Sequence, residues 1–564
     1  MSSHTSVQAR ALINQGPGSS QAVQWDNDTT TGHAALVCVF WLSDVTITSI
    51  TDSQGNTYVD CGAGRIARPT DGYMQMFGAK NIAGGVRPTI TVNFSGSASV
   101  IDTYLVELHN IHATTMFGAF ASGAATSGTA LTTGTFTPSY SAGIIIAFGV
   151  SNDTEGLVGA IAGTTARKIL APAGWATCIE ELPYVSSLGS NITAAVNMSA
   201  ALTKGVIIAC ELQAATQQPA SKCVLSTTPQ GRFAVNGVQE FLMGVTYFDA
   251  LDWWLSDLNA MWRNGYNLMR ILLDKQWDDG GTGTESVFNA NGTIRPERMA
   301  RIHALIEMAD ARGIIVEVAI LVADGEPSSE DWITGVTDRA TACTNAVAQL
   351  KQHVNVLYDA VNEYNYDPAF NDEATELDPL IDAVVAEDAT AVVGASGAGS
   401  IAAAANEQYL TYDDNNLIPA DFTPHLALQV NCFIYHAGRQ PYWWAATGHR
   451  ANLIKGHLNS LGRSELPVYL NEEARVGSAE VDPTGTQHIQ AALNAASSNC
   501  AGYIFHTGGN FNMASATWVS QLTAEELIAF NRIGFEVQAA RAARPSYTNF
   551  PKPSMRGANA ATTY

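Results

Sequence analysis

Two patterns of apolar and polar positions divide the chain. Over residues 1–215, short alternating or wholly apolar runs recur between turn residues: His33 to Leu42, Val45 to Thr51, Gly72 to Ala79, Thr89 to Phe94, Val100 to Leu108, Gly143 to Val150 and Gly205 to Leu212. Runs of this length and spacing, without a helical period, predict an all-β sandwich or jelly roll. Gly55-Asn56 within Asp52 to Tyr58 supplies the positive φ of a hairpin turn. Residues 216–222, with Gln217-Gln218-Pro219, are small and polar and predict a linker.

From residue 223 the period switches between two and 3.6. Gly231 to Gly237 predicts a hairpin, and Glu240 to Tyr247 a first buried strand. A helix at Asp252 to Asn264 carries Trp253, Leu255, Leu258 and Met261 on one face, and a strand follows at Gly265 to Leu273. A helix at Pro296 to Arg312 stops at Gly313. Further strands are predicted at Ile314 to Leu321, Asn355 to Val361, Ala391 to Ala395, Leu426 to Tyr435, Pro467 to Leu470 and Gly502 to Phe505. Helices fall at Asp338 to Gln352, Leu377 to Glu387, Gly448 to Leu461, Thr486 to Ser497 and Thr523 to Gln538. Eight strands alternating with seven helices predict a (β/α)₈ TIM barrel over residues 223–540. Residues 541–564 contain Pro545, Pro551 and Pro553 and predict an extended tail.

The length of 564 residues and the apolar share of 46% agree with more than one folded domain. With 52 acidic against 29 basic residues, the net charge is −23. Such a surface repels phosphate backbones and anionic lipid, which argues against nucleic acid and membrane as partners. No run approaches the ~18 apolar residues of a membrane-spanning helix. Met1 to Ser6 lacks a basic stretch leading into an apolar core, so no secretory signal peptide is expected.

The eight cysteines form no CxxC, and most lie in apolar runs, as buried free thiols do. His109 and His112 lie near Glu107, but strand histidines beside a loop are ordinarily structural. No metal and no cofactor is expected, and no dinucleotide or P-loop motif is found.

The chemistry concentrates at two strand ends. Glu363 follows the run Val354 to Asn362, and Glu472-Glu473 follows Pro467 to Asn471. A TIM barrel places its chemistry at the C-terminal ends of its strands, and strands four and seven face each other across the mouth. Two carboxyl groups across a sugar bond suit glycoside hydrolysis, one as acid/base and one as nucleophile. Alternation turns only one of Glu472 and Glu473 inward, and the offset from Pro467 favours Glu472. Arg270 would hold one carboxyl ionised, and Asn362 would hold a sugar hydroxyl. Tyr435 or His436 would donate to Glu472, while His506 is either a sugar contact or a core histidine. Among the aromatic residues near strand ends, Tyr247 and the pair Trp443-Trp444 are candidates for stacking on sugar.

These residues resemble the (β/α)₈ retaining glycosidases of the clan that includes glycoside hydrolase family 5. Phe233 to Gly237 with Leu242 to Val245 is similar to the clan's entry into strand one. Gly265 to Arg270 is similar to strand two with its active-site arginine, Asn362-Glu363 to the strand-four Asn-Glu, and Pro467 to Glu472 to strand seven with its nucleophile. The resemblance implies a cofactor-free, retaining hydrolase of a polysaccharide or oligosaccharide. Two departures stand out: Gly502 to His506 lacks the clan's strand-eight tryptophan, and Tyr435 and His436 are adjacent. Separately, Ile47 to Tyr58 with Ala79 to Gly85 resembles a β-sandwich module of phage structural and bacterial surface proteins. It implies attachment to a particle, a surface or other copies, on a virion or outside the cell. The competing expectation is a non-enzymatic glycan-binding or decoration protein with a retained barrel.

Overall fold

The computed structural model describes residues 5–140, 142–151, 157–160, 165–170, 176–184, 191–198, 203–215, 223–274, 286–322, 333, 335–362, 377–398, 430–436, 443–471, 475–476, 482–507 and 517–542. The expected linker 216–222 and nearly all of the expected tail lie outside these residues. Antiparallel sheets precede a parallel barrel.

The longest strand, Thr89–His109, organises the first sheet. Its first part pairs with Gly18–Gln24 and Ile47–Asp52, and its second with Thr5–Gln15 and Ala34–Leu42. The two runs expected as separate strands are therefore one strand, with Val100, the first residue of the second run, at φ 51. A five-stranded sheet, ordered Thr165–Leu170, Ala176–Tyr184, Gly143–Ser151, Gly205–Gln213, Phe117–Ala125, lies beyond it. Ile144, Ile146, Phe148 and Ile208 of this sheet pack with Leu36, Cys38, Met76 and Tyr104 of the first. Alternation drives this contact, since every second residue of a strand faces one side. Seven of the eight cysteines have described side chains, and all seven are buried and free.

The barrel strands are β1 (Leu242–Thr246), β2 (Leu268–Leu272), β3 (Ile315–Val322), β4 (Val356–Asn362), β5 (Val392–Gly394 and Ser396–Ala398), β6 (Phe433–His436), β7 (Val468–Asn471) and β8 (Cys500–Phe505). All neighbours pair in parallel, and β8 pairs with β1. The two pieces of β5 pair one with β4 and the other with β6, so the barrel is nearly closed, broken only around Ala395. The helices are α1 (Leu255–Arg263), α2 (Pro296–Asp310), α3 (Val336–Leu350), α4 (Asp378–Glu387), α5 (Trp443–Ser460), α6 (Gly485–Ser497), α7 (Trp518–Gln521) and α8 (Ala524–Ala542).

Period-two alternation sorts the strand residues. Met243, Val245, Met269, Ile271, Val316, Val318, Tyr358 and Phe505 face the helices, in one core with Leu258, Met299, Leu305, Val347 and Phe530. Leu242, Leu268, Ile315, Leu357, Val392, Ile434 and Ile504 fill the interior at the N-terminal end. Phe233 and Leu225 join that layer from the three-stranded sheet Leu225–Thr227, Phe233–Val235, Val238–Glu240, which plugs the barrel floor. Its tight turn uses Asn236 at φ 54 and Gly237 at φ 75, the positive angles a two-residue hairpin requires.

Candidate active site

Above the apolar floor the interior becomes polar. Two or four residues further along their strands, alternation brings Thr246, Arg270, Glu317, Asp359 and Ser396 inward. Burying a guanidinium and two carboxyl groups would be costly unless they pair, and they do. Arg270 Nε donates to Glu317 Oε1 (3.0 Å), and its Nη2 donates to Asp359 Oδ2 (3.1 Å) and to Asn362 Oδ1 (2.5 Å). All three charged side chains are fully buried. Ser396 holds Asp359 through its backbone N–H (2.9 Å) and its hydroxyl (2.6 Å), which ties the start of the second β5 piece to β4. On the other side, Tyr469 donates its hydroxyl to Glu317 Oε2 (2.6 Å), and Asn471 donates Nδ2 to Glu317 Oε1 (3.1 Å).

These contacts join two strand ends. Asn362, the last residue of β4, is linked through Arg270 and Glu317 to Asn471, the last residue of β7. The next residues in the chain are Glu363 and Glu472, which lie outside the described residues, as does Glu473. Phe248 caps the guanidinium, its ring centroid 5.9 Å from the Arg270 carbon. Phe248, Leu272, Ala319 and Val322 form a small apolar layer above the polar one.

Electrostatics in this layer follow from burial. Removal from water pushes the Glu317 carboxyl up to about 7, and the negative charge of Asp359 pushes the same way. Arg270 and the Tyr469 hydrogen bond oppose both. The Tyr469 hydroxyl is itself driven well above the ordinary tyrosine range, first by burial and then by the facing Glu317 charge.

The expected site residues fall into two groups. Arg270 and Asn362 face inward and touch each other. His506, just after β8, is buried with its ring 5.8 Å from that of Phe248. His436 ends β6, and its side chain is not among those described. The positions of Tyr247, Tyr435 and Trp443 depart from expectation. Tyr247, next to the inward Thr246, faces the helices: its hydroxyl donates to Asp257 Oδ2 of α1 (3.0 Å), and its ring lies 6.3 Å from Trp518. Tyr435, adjacent to His436 on a strand, joins the strand–helix core. That adjacency, noted in the sequence, means only one of the two can face the barrel axis. Trp443 opens α5, one turn earlier than the helix expected at Gly448, and is buried against His488 (5.5 Å). Trp444 is half-buried, edge-on to Trp443 at 6.1 Å.

Glu317, Asp359, Ser396, Tyr469 and Asn471 were missed as site residues. A signal existed: Glu317 and Asp359 are acids in the middle of otherwise apolar strands, where only a pairing partner makes them tolerable. Among the described residues no three His, Cys, Asp or Glu side chains are grouped as metal ligands. His109 meets Glu307, whereas His112 accepts from the backbone N–H of Thr115 (3.0 Å). No helix among the described residues is long and apolar enough to cross a membrane.

No protein-family model matches the sequence, and no curated protein matches it. Solved structures similar to it include a β-1,4-D-mannanase from Cryptopygus antarcticus (12% identity, TM-score 0.37, covering 55% of this chain and 94% of that one). Another is a glycoside hydrolase family 5 mannosidase from Rhizomucor miehei (10%, TM-score 0.40, covering 57% and 100%). A third is a β-mannanase from the blue mussel Mytilus edulis (13%, TM-score 0.36, covering 58% and 98%). Similarities this distant say nothing of substrate.

Proposed function

We propose that the chain is a retaining β-glycoside hydrolase of a polysaccharide or oligosaccharide, with Glu363 as acid/base and Glu472 as nucleophile. The observation that carries this reading is the buried bridge from Asn362 through Arg270 and Glu317 to Asn471. It holds Asn362 and Asn471, the residues that precede the two glutamates in the chain, at the strand ends of a parallel barrel, the face where such barrels do their chemistry.

The reaction needs the two carboxyl groups ~5 Å apart. Glu472, ionised, attacks the anomeric carbon and forms an ester as the glycosidic bond breaks, and Glu363 gives its proton to the leaving oxygen. Glu363 then takes a proton from water, whose oxygen attacks the same carbon and releases Glu472. Asn362 is anchored by Arg270 through its Oδ1, which leaves its Nδ2 side to meet a sugar hydroxyl. Within this proposal, residues 1–215 form a sandwich module for attachment on a virion or cell surface, residues 223–540 the hydrolase, and residues 541–564 a tail.

The test is release of reducing ends from β-glucans, mannans and bacterial surface polysaccharides. Wild type should turn over at least one. Glu472→Gln should abolish turnover, and Glu473→Gln should largely keep it. Glu363→Gln should retain glycosylation by dinitrophenyl glycosides, whose leaving group needs no proton. Inactivity of wild type across the panel, or full activity of Glu472→Gln, would refute the assignment.

A further inference from the structure

We infer that Glu317, on β3 and remote in sequence from both candidate glutamates, is the positioning residue that holds the two halves of the mouth in catalytic register. The inference rests on the hydrolase reading above and adds a residue to it. Glu317 is fully buried and accepts from three donors on two strands: Arg270 Nε of β2, and Asn471 Nδ2 and the Tyr469 hydroxyl of β7. A carboxylate is acceptor-only, with about four lone-pair sites, so it can take all three at once. An amide cannot, because its NH₂ is a donor. The ionised form is thus the one the surroundings are built around.

Its placement explains why it acts on both sides. Through Arg270 it reaches Asn362, the residue before Glu363. Through Asn471 it reaches the residue before Glu472. Asp359 also binds Arg270, and Ser396 of β5 donates to it through its backbone N–H and its hydroxyl. Glu317 thus joins both strand ends. The groups facing it are Arg270, Asp359 and Tyr469, with the Cys432 thiol of the apolar layer nearby. Loss of the Tyr469 donor would make Glu317 easier to protonate, because that hydrogen bond favours the charged form.

The experiment uses the full chain and dinitrophenyl β-glycosides, with a polysaccharide that wild type hydrolyses. Glu317→Gln is expected to keep KM while kcat falls about 100-fold, the cost of an approximately 1 Å misplacement. Tyr469→Phe is expected to fold and to move the acid limb of the kcat profile upward by about half a pH unit or more. A merely structural role would lower the unfolding temperature without moving that limb. If Glu317→Gln folds and matches wild-type kcat, or if Tyr469→Phe keeps the wild-type pH profile, the inference fails while the hydrolase reading stands. If Glu317→Gln does not fold, the Tyr469→Phe profile decides. Wild type inactive on every glycoside would overturn both.

Discussion

His109 Nε2 and Glu307 Oε2 meet at 2.5 Å, one on the long strand of the antiparallel sheets and the other on α2 of the barrel, both nearly out of solvent. The contact belongs to a larger buried junction. Asn110 Nδ2 donates to the same Glu307 oxygen (2.9 Å), and Arg301 of α2 pairs with Glu181, which also accepts from the Ser6 backbone N–H (3.2 Å). Behind His109 lies His33 (3.3 Å), held in turn by Glu107 (2.7 Å). Breaking a buried pair by removing one member costs more than the pair contributes, because the other charge stays buried. His109→Ala is therefore expected to destabilise the protein by roughly 3 kcal/mol. It should also split thermal unfolding into two transitions, with the sheets and the barrel melting separately. A single transition at the wild-type temperature in calorimetry would show that the junction does not couple them.

Arg270 is the second place where one side chain serves several partners. Its guanidinium addresses Glu317, Asp359 and Asn362 at once. An ammonium carries the same charge but lacks the planar fork, and cannot reach three groups in these directions. Arg270→Lys should fold with a lowered melting temperature and lose most of its turnover. Arg270→Met should be far worse, by about 3–5 kcal/mol, since it leaves two carboxyl groups buried with no cation between them. Chemical denaturation of the two variants in parallel checks both the order and the gap.

Much of this architecture was legible in the sequence because strands and helices announce themselves by period. The strand around Ile271, the helix from Pro296 and the strand ending at Asn362 all appear close to their expected bounds. Asn362 was legible as a site candidate because it is polar at the end of an apolar run, and Arg270 because it is a charge inside one and Gly265 to Arg270 resembles a strand two with an active-site arginine. Their contact partners were not: nothing in the run Ile314 to Leu321 says that Glu317 reaches across to Tyr469, since that pairing depends on barrel closure. Tyr247 and Tyr435 misled for a related reason. Being aromatic near a strand end identifies a residue type, whereas facing the axis is decided by a one-residue register.

Gly534 of α8 allows a packing test in which two effects oppose. Alanine is the better helix former by about 1 kcal/mol. A methyl at residue 534, however, would lie 2.0 Å from the backbone oxygen of Asn264 and 3.0 Å from the carbonyl carbon of Gly265, where α1 ends. Neither is a flexible side-chain tip, so α8 would have to move, and Gln538 would lose its hydrogen bond to the Gly265 carbonyl (3.0 Å). Overpacking of this kind costs about 1–3 kcal/mol and outweighs the propensity gain. Gly534→Ala should therefore lower the denaturation midpoint, and a raised midpoint would mean that the two helices part more easily than their contact suggests.

His488 gives a prediction with a definite sign in pH. It lies on α6, fully buried, with its ring 5.5 Å from Trp443 and 4.8 Å from Phe505. Neither ring nitrogen has a hydrogen-bond partner among the described residues. Burial pulls its pKa from the ordinary 6.5 down to about 3. Between those values the unfolded chain takes up a proton that the folded protein refuses, so stability falls as pH drops below 6.5. His303 and His353, lowered to about 3 and about 4, slope the same way. Asp257 and Glu317, raised to about 6 and about 7, slope the opposite way: they contribute at low pH and lose that contribution as pH rises through those values. The profile of the whole protein mixes these slopes, and a variant isolates one of them. His488→Leu removes the titration and places an apolar side chain among apolar neighbours. Its stability relative to wild type should rise by about 2 kcal/mol on going from pH 8 to pH 5. Urea denaturation of both proteins at the two pH values measures that difference. A difference that stays constant would mean that the folded protein protonates this ring as readily as the unfolded chain does, and the burial argument for His488 would fail.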